Sequence, residues 1–203
     1  MTIQSPTKGD RTRAEIVDVA HQLFIEQGYH GTSMRQIAAK AGIALGGIYN
    51  HFAGKEELFE AVIMAYHPYH QLLPALESAG GETVDEILWN IAEEVRPVIQ
   101  ARKDLFNLLL IEIVEFEGRH VPKLFEIIFP ELMRFAQKLQ SSDSRLRDIP
   151  MPNLLRIFIG SMFGFLITEQ LLGPQLPPEF SQRAFDDFMG VYLHGILAPE
   201  NEV

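Results

Sequence analysis

The sequence predicts an all-α protein of about nine helices in two domains. Apolar residues recur every three or four positions along almost the whole chain, which is the spacing of a helix with one buried face. No run of four or more residues alternates cleanly between apolar and polar side chains, as a half-buried strand would. With 203 residues, of which 47% are hydrophobic and 22% charged, the chain has the composition of an ordinary globular protein.

The first predicted helix has one apolar face and ends near Gly28, a residue suited to a left-handed cap. Pro68, Pro74 and Pro97 should each kink or end a helix, and the Pro-rich stretch 173–178 separates the last two. The apolar face of the first helix carries Ile16, Val19, Ala20, Leu23 and Phe24. The helices that follow are predicted at 34–41, 45–51, 55–76, 82–101, 103–117, 121–140, 152–172 and 179–197.

Residues 32–52 have the pattern of a helix-turn-helix. Ser33 and Gln36 form a capping box that starts the first of the two helices. Gly42 supplies the positive φ that a tight turn needs, and Ile48 and Phe52 should anchor the second helix. The residues near its outward face, which could enter a major groove, are Leu45, Gly46, Gly47, Tyr49, Asn50 and His51. The spacing alone also fits a helical hairpin that only packs.

Composition and charge exclude some kinds of site and favour others. The chain contains no cysteine, so disulfides, thiolate nucleophiles and cysteine-ligated metal centres are excluded. The net charge of −10 is unevenly distributed, because residues 1–55 carry +2 and residues 56–203 carry −12. Any contact with phosphates is therefore expected from the N-terminal part of the chain.

Residues 12–63 resemble the DNA-binding domain of the TetR/AcrR family of bacterial transcriptional regulators. The matching segments are Thr12-Arg13, Leu23-Phe24, Gly28-Tyr29, Thr32-Ser33, Ile37-Ala38, Ala41-Gly42-Ile43, 46–52 and 55–58. The resemblance implies a three-helix DNA-binding domain over residues 1–54, with residues 1–9 as a flexible arm, and a helical effector-binding and dimerisation domain over residues 55–203. Ala44 departs from the family pattern, which has Ser or Thr there. Losing that cap costs about 1 kcal/mol.

The same resemblance implies the residues that contact DNA. Phosphate contacts are expected from side chains with a hydroxyl, imidazole or amino group: Thr32, Ser33, Tyr49, His51 and Lys55. Base edges are expected to meet Arg35, Leu45, Gly46 and Asn50. Gly46 and Gly47 also permit close approach to the DNA. Arg11 and Arg13 are either solvated charges or contacts made by a mobile arm.

By resemblance, the C-terminal domain should also enclose a cavity for a small-molecule effector. Its apolar groups are numerous and its candidate buried cations few, so the effector is expected to be mainly hydrophobic. The candidate contacts are Tyr66, His70, Trp89, Glu93, Arg96, Phe106, Asn107, Leu110, Ile113, Phe158 and Met162. For each polar member, a solvated face or a satisfied core group is the alternative.

The last two predicted helices suit the formation of a homodimer. Gly160 and Gly164 lie four residues apart, which lets another helix approach closely. The final helix carries an apolar stripe of Phe185, Phe188, Tyr192 and Ile196. Packing within one subunit is the alternative, and the resemblance favours the dimer.

Between Arg156 and Glu169 lie twelve uncharged residues, too few to span a bilayer, which needs about 20. This segment is therefore expected to be a buried helix, with no membrane partner.

Together with these patterns, the resemblance implies a cytoplasmic, homodimeric repressor that a small hydrophobic ligand releases from double-stranded operator DNA. No enzyme activity, metal or cofactor is expected, because the sequence has no Gly-rich phosphate loop, no Gly-x-Ser-x-Gly elbow and no His-Glu-x-x-His pair. Two alternatives stay open. One is a metal- or pH-responsive regulator that uses His67 and His70, and the other is an interaction protein that has kept the fold without DNA binding.

Overall fold

The computed structural model describes residues 7–142, 147 and 149–196, and within these ranges every regular element is helical. The predicted all-α class is therefore confirmed. A 3₁₀ turn, Gly173–Gln175, falls in the predicted Pro-rich break. The α-helices of the described residues are α1 (Lys8–Gly31), α2 (Met34–Lys40), α3 (Leu45–Tyr49), α4 (Lys55–Tyr66), α5 (Tyr69–Ser78), α6 (Val84–Ala101), α7 (Lys103–Phe116), α8 (Val121–Ser142), α9 (Met151–Leu172) and α10 (Pro178–Ile196).

Pro68 explains why the described residues form ten α-helices where the sequence predicts about nine. The predicted helix 55–76 is interrupted at this residue, since α4 ends at Tyr66 and α5 begins at Tyr69. A proline cannot donate a main-chain hydrogen bond, and its ring clashes with the preceding turn of a helix. Pro74 and Pro97, by contrast, lie inside α5 and α6 and do not end them.

The first helix begins earlier than the sequence predicts. Thr7 caps α1 by accepting a hydrogen bond from the N–H of Asp10, and the Asp10 side chain accepts one from the main-chain N–H of Thr7. Lys8 and Gly9 are therefore helical and do not belong to a flexible arm. The rest of the predicted arm, residues 1–6, lies outside the described residues. Gly28 has φ +73° and interrupts the regular helix where a cap is predicted.

The chain forms two compact units, which we call the first and the second unit. The first comprises the residues up to 67 together with 107–124, and the second comprises 68–106 and the residues from 125 onward. The predicted boundary between residues 54 and 55 is therefore displaced. Leu58, Phe59, Val62 and Ile63 of α4 are buried in the same core as the helix-turn-helix, so α4 belongs with it.

The core of the first unit is built from the predicted apolar faces. Its largest fully buried side chains come from α1, α2, α3, α4, α7 and the connection between α3 and α4: Ile16, Phe24, Ile37, Ile48, Phe52, Leu58, Phe59, Val62 and Leu108. Burying one such side chain contributes about 1.5–3 kcal/mol. This core fixes the orientation of the short helices α2 and α3.

The second unit packs its aromatic residues against one another, and this corrects the predicted dimer stripe. The ring of Phe185 lies 5.8 Å from that of Phe165, and Phe188 stacks on the same ring at 4.9 Å. Tyr192 packs edge-on against Phe158 at 5.3 Å, and burial raises the pKa of Tyr192 to about 12. Phe185, Phe188 and Tyr192 therefore serve the interior of one chain. The side chain of Ile196 lies outside the described residues.

Helix α9 is exposed, although the sequence predicts a buried helix. Only 6% of its most apolar 18-residue window, within Pro152–Gln175, is buried. Gly160 and Gly164 are both on the exposed side, and a Cβ at either position would meet no described atom outside its own turn within 4 Å. By length and composition this helix could cross a membrane. The core helices of soluble proteins can pass the same test.

Candidate functional site

The helix-turn-helix has the local geometry that the sequence predicts. The Oγ of Ser33 accepts a hydrogen bond from the N–H of Gln36 at 3.3 Å, and the Gln36 Oε1 accepts one from the N–H of Ser33 at 2.8 Å. This is the predicted capping box, and it starts α2. Gly42 has φ +69°, so the turn between α2 and α3 uses the left-handed conformation that glycine permits.

Helix α3 presents an exposed face on a buried support. Ile48 is fully buried and Phe52 almost so, which confirms both predicted anchors. On the opposite side, Leu45 is 43% and Tyr49 52% exposed, and Asn50 at the end of the helix is also exposed. An exposed leucine and tyrosine beside an asparagine can offer a base edge both apolar and hydrogen-bonding contacts.

Two glycines leave the middle of α3 bare. A Cβ added at Gly46 or Gly47 would meet no described atom outside its own turn within 4 Å, and neither residue has the positive φ that would call for glycine. Packing and backbone strain therefore do not explain them. What both residues provide is main chain that a DNA backbone or base edge can approach closely.

Ala44 begins α3 without a side-chain hydrogen bond to any described residue. Its main-chain carbonyl accepts from the N–H of Gly47 at 2.8 Å, so the helix starts on main-chain bonds alone. This matches the predicted consequence of the missing Ser or Thr. Arg35, on α2, is exposed, whereas His51 after α3 is half-buried.

Thr32 does not lie where its predicted phosphate contact would require. The residue is 2% exposed, and its hydroxyl donates to the main-chain carbonyls of Gly28 at 2.9 Å and Leu23 at 3.1 Å. Its hydroxyl hydrogen is thus used inside the first unit, where it ties the end of α1 to the start of α2. Ser33, next in the chain, is exposed but uses its hydroxyl in the capping box.

Lys55 is also drawn into the protein. Its Nζ donates to the carbonyls of Tyr29 and Thr32, both at 2.8 Å, and lies 4.1 Å from the centre of the Tyr29 ring. Burial lowers the pKa of Lys55, with a smaller opposing effect from Glu115. The ammonium group therefore joins the first residue of α4 to Tyr29 in the last turn of α1 and to Thr32, which follows α1. The predicted phosphate contact is not its main interaction.

Arg13 lies against Phe52, one of the two buried anchors of α3. Its guanidinium group stands 4.5 Å from the centre of the Phe52 ring, and the residue is exposed on α1. It is held by a helix and not by a mobile arm, and the same holds for Arg11. Sequence reasoning missed this placement, because a contact across 39 positions leaves no periodic signal.

The predicted effector contacts are divided between the two units. Tyr66, Asn107, Leu110 and Ile113 belong to the first unit. The hydroxyl of Tyr66 donates to Asp18 at 2.9 Å and its ring stacks on His21 at 3.6 Å, so Tyr66 packs against α1. Leu110 and Ile113 are exposed.

In the second unit, the predicted effector contacts mostly form packed core. Trp89 joins two buried clusters, and Met162 packs with one of them. Phe106 lies 5.7 Å from Phe163. Arg96 pairs with Glu93 at 2.6 Å and with Asp186, and lies 4.9 Å from the Phe185 ring. The aromatic residues therefore fill this region instead of lining an open cavity.

Neither of two surface grooves in the described structure contains a predicted effector contact. The groove in the second unit has a volume of about 190 Å³ and lies between α5 and α8, lined by Leu76, Glu77, Glu131, Arg134, Phe135 and Lys138. The groove in the first unit has a volume of about 290 Å³ and lies between α1 and α4. The expected effector cavity thus stays a prediction.

His67 and His70 do not resemble a sensor pair. His67 ends α4 and is largely buried, which lowers its pKa to about 4 and keeps its ring neutral near pH 7. His70 is exposed in the first turn of α5, with its ring 3.8 Å from that of Tyr69. Among the described residues, no group of three or more His, Asp or Glu side chains is placed to hold a metal ion.

Comparison with known sequences agrees with the N-terminal geometry. Residues 16–62 match the family model described as bacterial regulatory proteins, tetR family. Over 122 residues the chain is 31% identical to the HTH-type transcriptional regulator TtgR of Pseudomonas putida, a match that covers 57% of this chain and 57% of that protein. A second match, to the HTH-type transcriptional regulator SrpR of Pseudomonas putida, is 38% identical over 69 residues and covers 34% of this chain and 32% of that protein. The chain thus spans from a third to just over half the length of these curated relatives.

Solved structures extend the likeness to the whole fold. A TetR-family transcription regulator from Shewanella sp. PV-4 superposes with a TM-score of 0.71 at 18% identity, covering 93% of this chain and 99% of that one. NalD, described as the secondary repressor of the MexAB-OprM multidrug efflux pump in Pseudomonas aeruginosa, superposes with a TM-score of 0.64 at 21% identity, covering 94% and 98%. Because both structures are under 25% identical to this chain, the superpositions show a similar fold and nothing about function.

Proposed function

Because residues 16–62 match the TetR family of bacterial regulatory proteins, we propose that this chain is a sequence-specific transcriptional regulator of that family, which binds double-stranded operator DNA and represses transcription in the bacterial cytoplasm. The proposal does not include enzyme activity. The observation that carries it is α3, whose exposed Leu45, Gly46, Tyr49 and Asn50 stand on the buried Ile48. Such a helix fits the major groove with its base-contacting side chains outward.

The exposed groups divide by chemistry into those that identify bases and those that hold the DNA backbone. Asn50 suits the hydrogen-bonding edge of adenine, Arg35 that of guanine, and Leu45 the methyl group of thymine. Tyr49 and Arg13 are exposed and would contact phosphates, which fix the register without identifying sequence. Thr32 and Lys55 contribute indirectly, by holding α2 and α4 in place.

The test is selection of bound duplexes from a random DNA library, followed by binding titrations at several salt concentrations. The protein should enrich one inverted-repeat sequence and bind it with an affinity that falls steeply as salt rises. Asn50→Ala should lose preference at particular base pairs, at about 1–3 kcal/mol for a lost bidentate contact. Asn153→Ala, at an exposed asparagine of α9, is the matched control. Equal binding of all duplexes by the native protein would contradict the proposal.

A small, mainly hydrophobic effector would release the DNA. An effector that binds better to the form with low DNA affinity must, by linkage, weaken DNA binding. The ligand class follows from Arg96, whose charge is already balanced by Glu93 and Asp186, so the aromatic interior offers little to an anion. Binding near Trp89 should change its fluorescence over the concentration range that dissociates DNA. The proposed ligand class would be wrong if organic acids changed the fluorescence of Trp89 and released DNA while apolar and cationic compounds had neither effect.

Homodimerisation would use the exposed face of α9 in place of the predicted aromatic stripe. Ile157, Gly160, Gly164 and Leu171 are exposed at helical spacing and would be covered by the same face of a second copy. Gly164→Leu should yield a folded monomer, because the added side chain has open space within its own chain. Gly80→Leu, at an exposed glycine outside α9, is the control. An intact Gly164→Leu dimer by light scattering would place the interface elsewhere.

A further inference from the structure

A buried acid–histidine pair lies in the first unit, outside the helix-turn-helix. Glu112 of α7 is 1% exposed, and His120, just before α8, is 8% exposed. The Nδ1 of His120 lies 2.8 Å from the Oε2 of Glu112, and the main-chain N–H of His120 donates to the Oε1 of Glu112 at 2.7 Å. Both carboxylate oxygens of Glu112 are therefore bonded to the same residue. A buried carboxylate is costly unless it is paired in this way.

The other nitrogen of His120 faces the first turn of α4. Its Nε2 lies 3.8 Å from the Oε1 of Glu56, and the Nη1 of Arg119 donates to that same oxygen at 2.7 Å. The rings of Phe59 and Phe116 close the remaining sides of the imidazole, at 6.1 and 4.8 Å. Two further ion pairs join the helices packed here: His30 with Glu115, and Lys123 with Glu60.

This contact is continuous with the residues that hold α2. Glu56 follows Lys55 in the chain, and the Nζ of Lys55 is bonded to the carbonyls of Tyr29 and Thr32. Thr32 directly precedes Ser33, the cap of α2. A shift of the first turn of α4 would therefore move the support of the start of α2.

We propose that Glu112 and His120 form a positioning pair for DNA recognition, which holds the first turn of α4 in the arrangement that binds DNA. The proposal rests on the proposed function. A neutral imidazole has one N–H and can donate to one carboxylate, whereas an imidazolium has two and can donate to both Glu112 and Glu56. Histidine is the side chain that changes charge between about pH 5 and 8. Acidification should thus tighten the pair on α4 and raise DNA affinity.

The variant that tests this is His120→Asn. The asparagine amide replaces Nδ1, so it keeps the hydrogen bond to Glu112 and the fold, but it carries no titrating group and does not reach Glu56. Binding is measured by fluorescence anisotropy on a duplex that the native protein selects from a random library, at fixed salt and without effector. The native protein should bind about five-fold more tightly at pH 6 than at pH 8, the lower end of usual coupling between linked sites. His120→Asn should lose that difference.

His51→Asn is the matched control, because His51 lies beside α3 and its own charge could affect phosphate binding. If His51→Asn loses the pH dependence and His120→Asn keeps it, the proposal is wrong. The same holds if both variants behave as the native protein. A loss confined to His120→Asn supports it.

A second measurement uses the free protein. The N–H of Leu58 donates to the carbonyl of Gly54 and closes the first turn of α4. Its hydrogen exchange should be slower in the native protein than in His120→Asn at pH 6, and nearly equal in the two at pH 8. Equal exchange at both values would overturn the positioning role. If neither the native protein nor its variants bind any duplex, the proposed function is wrong. The exchange measurement alone then decides whether Glu112 and His120 hold the first turn of α4.

Discussion

Replacing Lys55 with methionine should destabilise the first unit by about 2 kcal/mol without changing the salt dependence of DNA binding. The Nζ of Lys55 donates two hydrogen bonds of 2.8 Å to the carbonyls of Tyr29 and Thr32. A hydrogen bond that involves a charged group contributes about 1.5–3 kcal/mol when it is buried. Because Lys55 is partly exposed, we take the two bonds together to contribute about 1.5 kcal/mol. The contact with the Tyr29 ring at 4.1 Å adds about 0.5 kcal/mol. Methionine keeps the apolar stem and removes only the ammonium group.

Thermal and urea unfolding measure the first part of this prediction. A loss of about 2 kcal/mol lowers the melting temperature of a chain of this size by about 4–8 °C. Salt titrations of DNA binding measure the second part, since each phosphate contact contributes about 0.9 to the slope. Lys40→Met is the matched control. Lys40 lies in the same unit, but it is exposed and forms only a loose ion pair, with its Nζ 3.6 Å from the Oε2 of Glu26. A native melting temperature together with a slope smaller by about 0.9 would refute the structural role and restore the predicted phosphate contact.

Three further changes test individual contacts. Gly47→Ala should stabilise α3 by about 1 kcal/mol yet weaken DNA binding, and a tighter complex would show that the bare backbone has no role in recognition. Thr32→Val should cost about 1–3 kcal/mol, because two carbonyls lose their buried donor, whereas unchanged urea unfolding would mean that the hydroxyl bonds contribute nothing. The pKa of His67 is lowered from 6.5 to about 4 by burial, so the folded state takes up this proton less readily than the unfolded state. Stability should therefore be complete above pH 6.5 and fall as the pH drops through about 4. His67→Gln should flatten that fall in a pH series of urea midpoints, and an equally steep fall in the variant would assign the loss to other groups.

The helix-turn-helix could be predicted because its signals are local. A glycine that needs positive φ at Gly42, a capping box between Ser33 and Gln36, and apolar spacing that buries Ile48 are each read from a few neighbouring residues. The roles of Thr32 and Lys55 could not be predicted in the same way. Their partners are carbonyls up to 26 positions away in the chain, and every residue carries a carbonyl. Only the packing of α1 against α4 selects which ones they meet.

The second unit shows a different limit of sequence reasoning. Helical spacing identifies Phe185, Phe188 and Tyr192 as one apolar stripe, but periodicity does not say whether an apolar face is covered by the same chain or by another. In the structure these rings pack on α6 and α9, while the apolar face of α9 stays open. Hydrophobic spacing alone therefore could not show which of these two apolar faces is covered within the chain.

The weakness of α3 is itself informative about recognition. A missing cap at Ala44 and two glycines each cost about 1 kcal/mol in an isolated helix, and five residues are too few for a stable helix in water. What offsets this is burial of Ile48 and Phe52, at about 1.5–3 kcal/mol each. The helix is thus held from the side that faces the core, while the exposed side, which we propose contacts DNA, is not held by packing. Contacts with DNA would complete the ordering of that face, so part of the affinity for a matched site should appear as protection of the amides of α3 from hydrogen exchange.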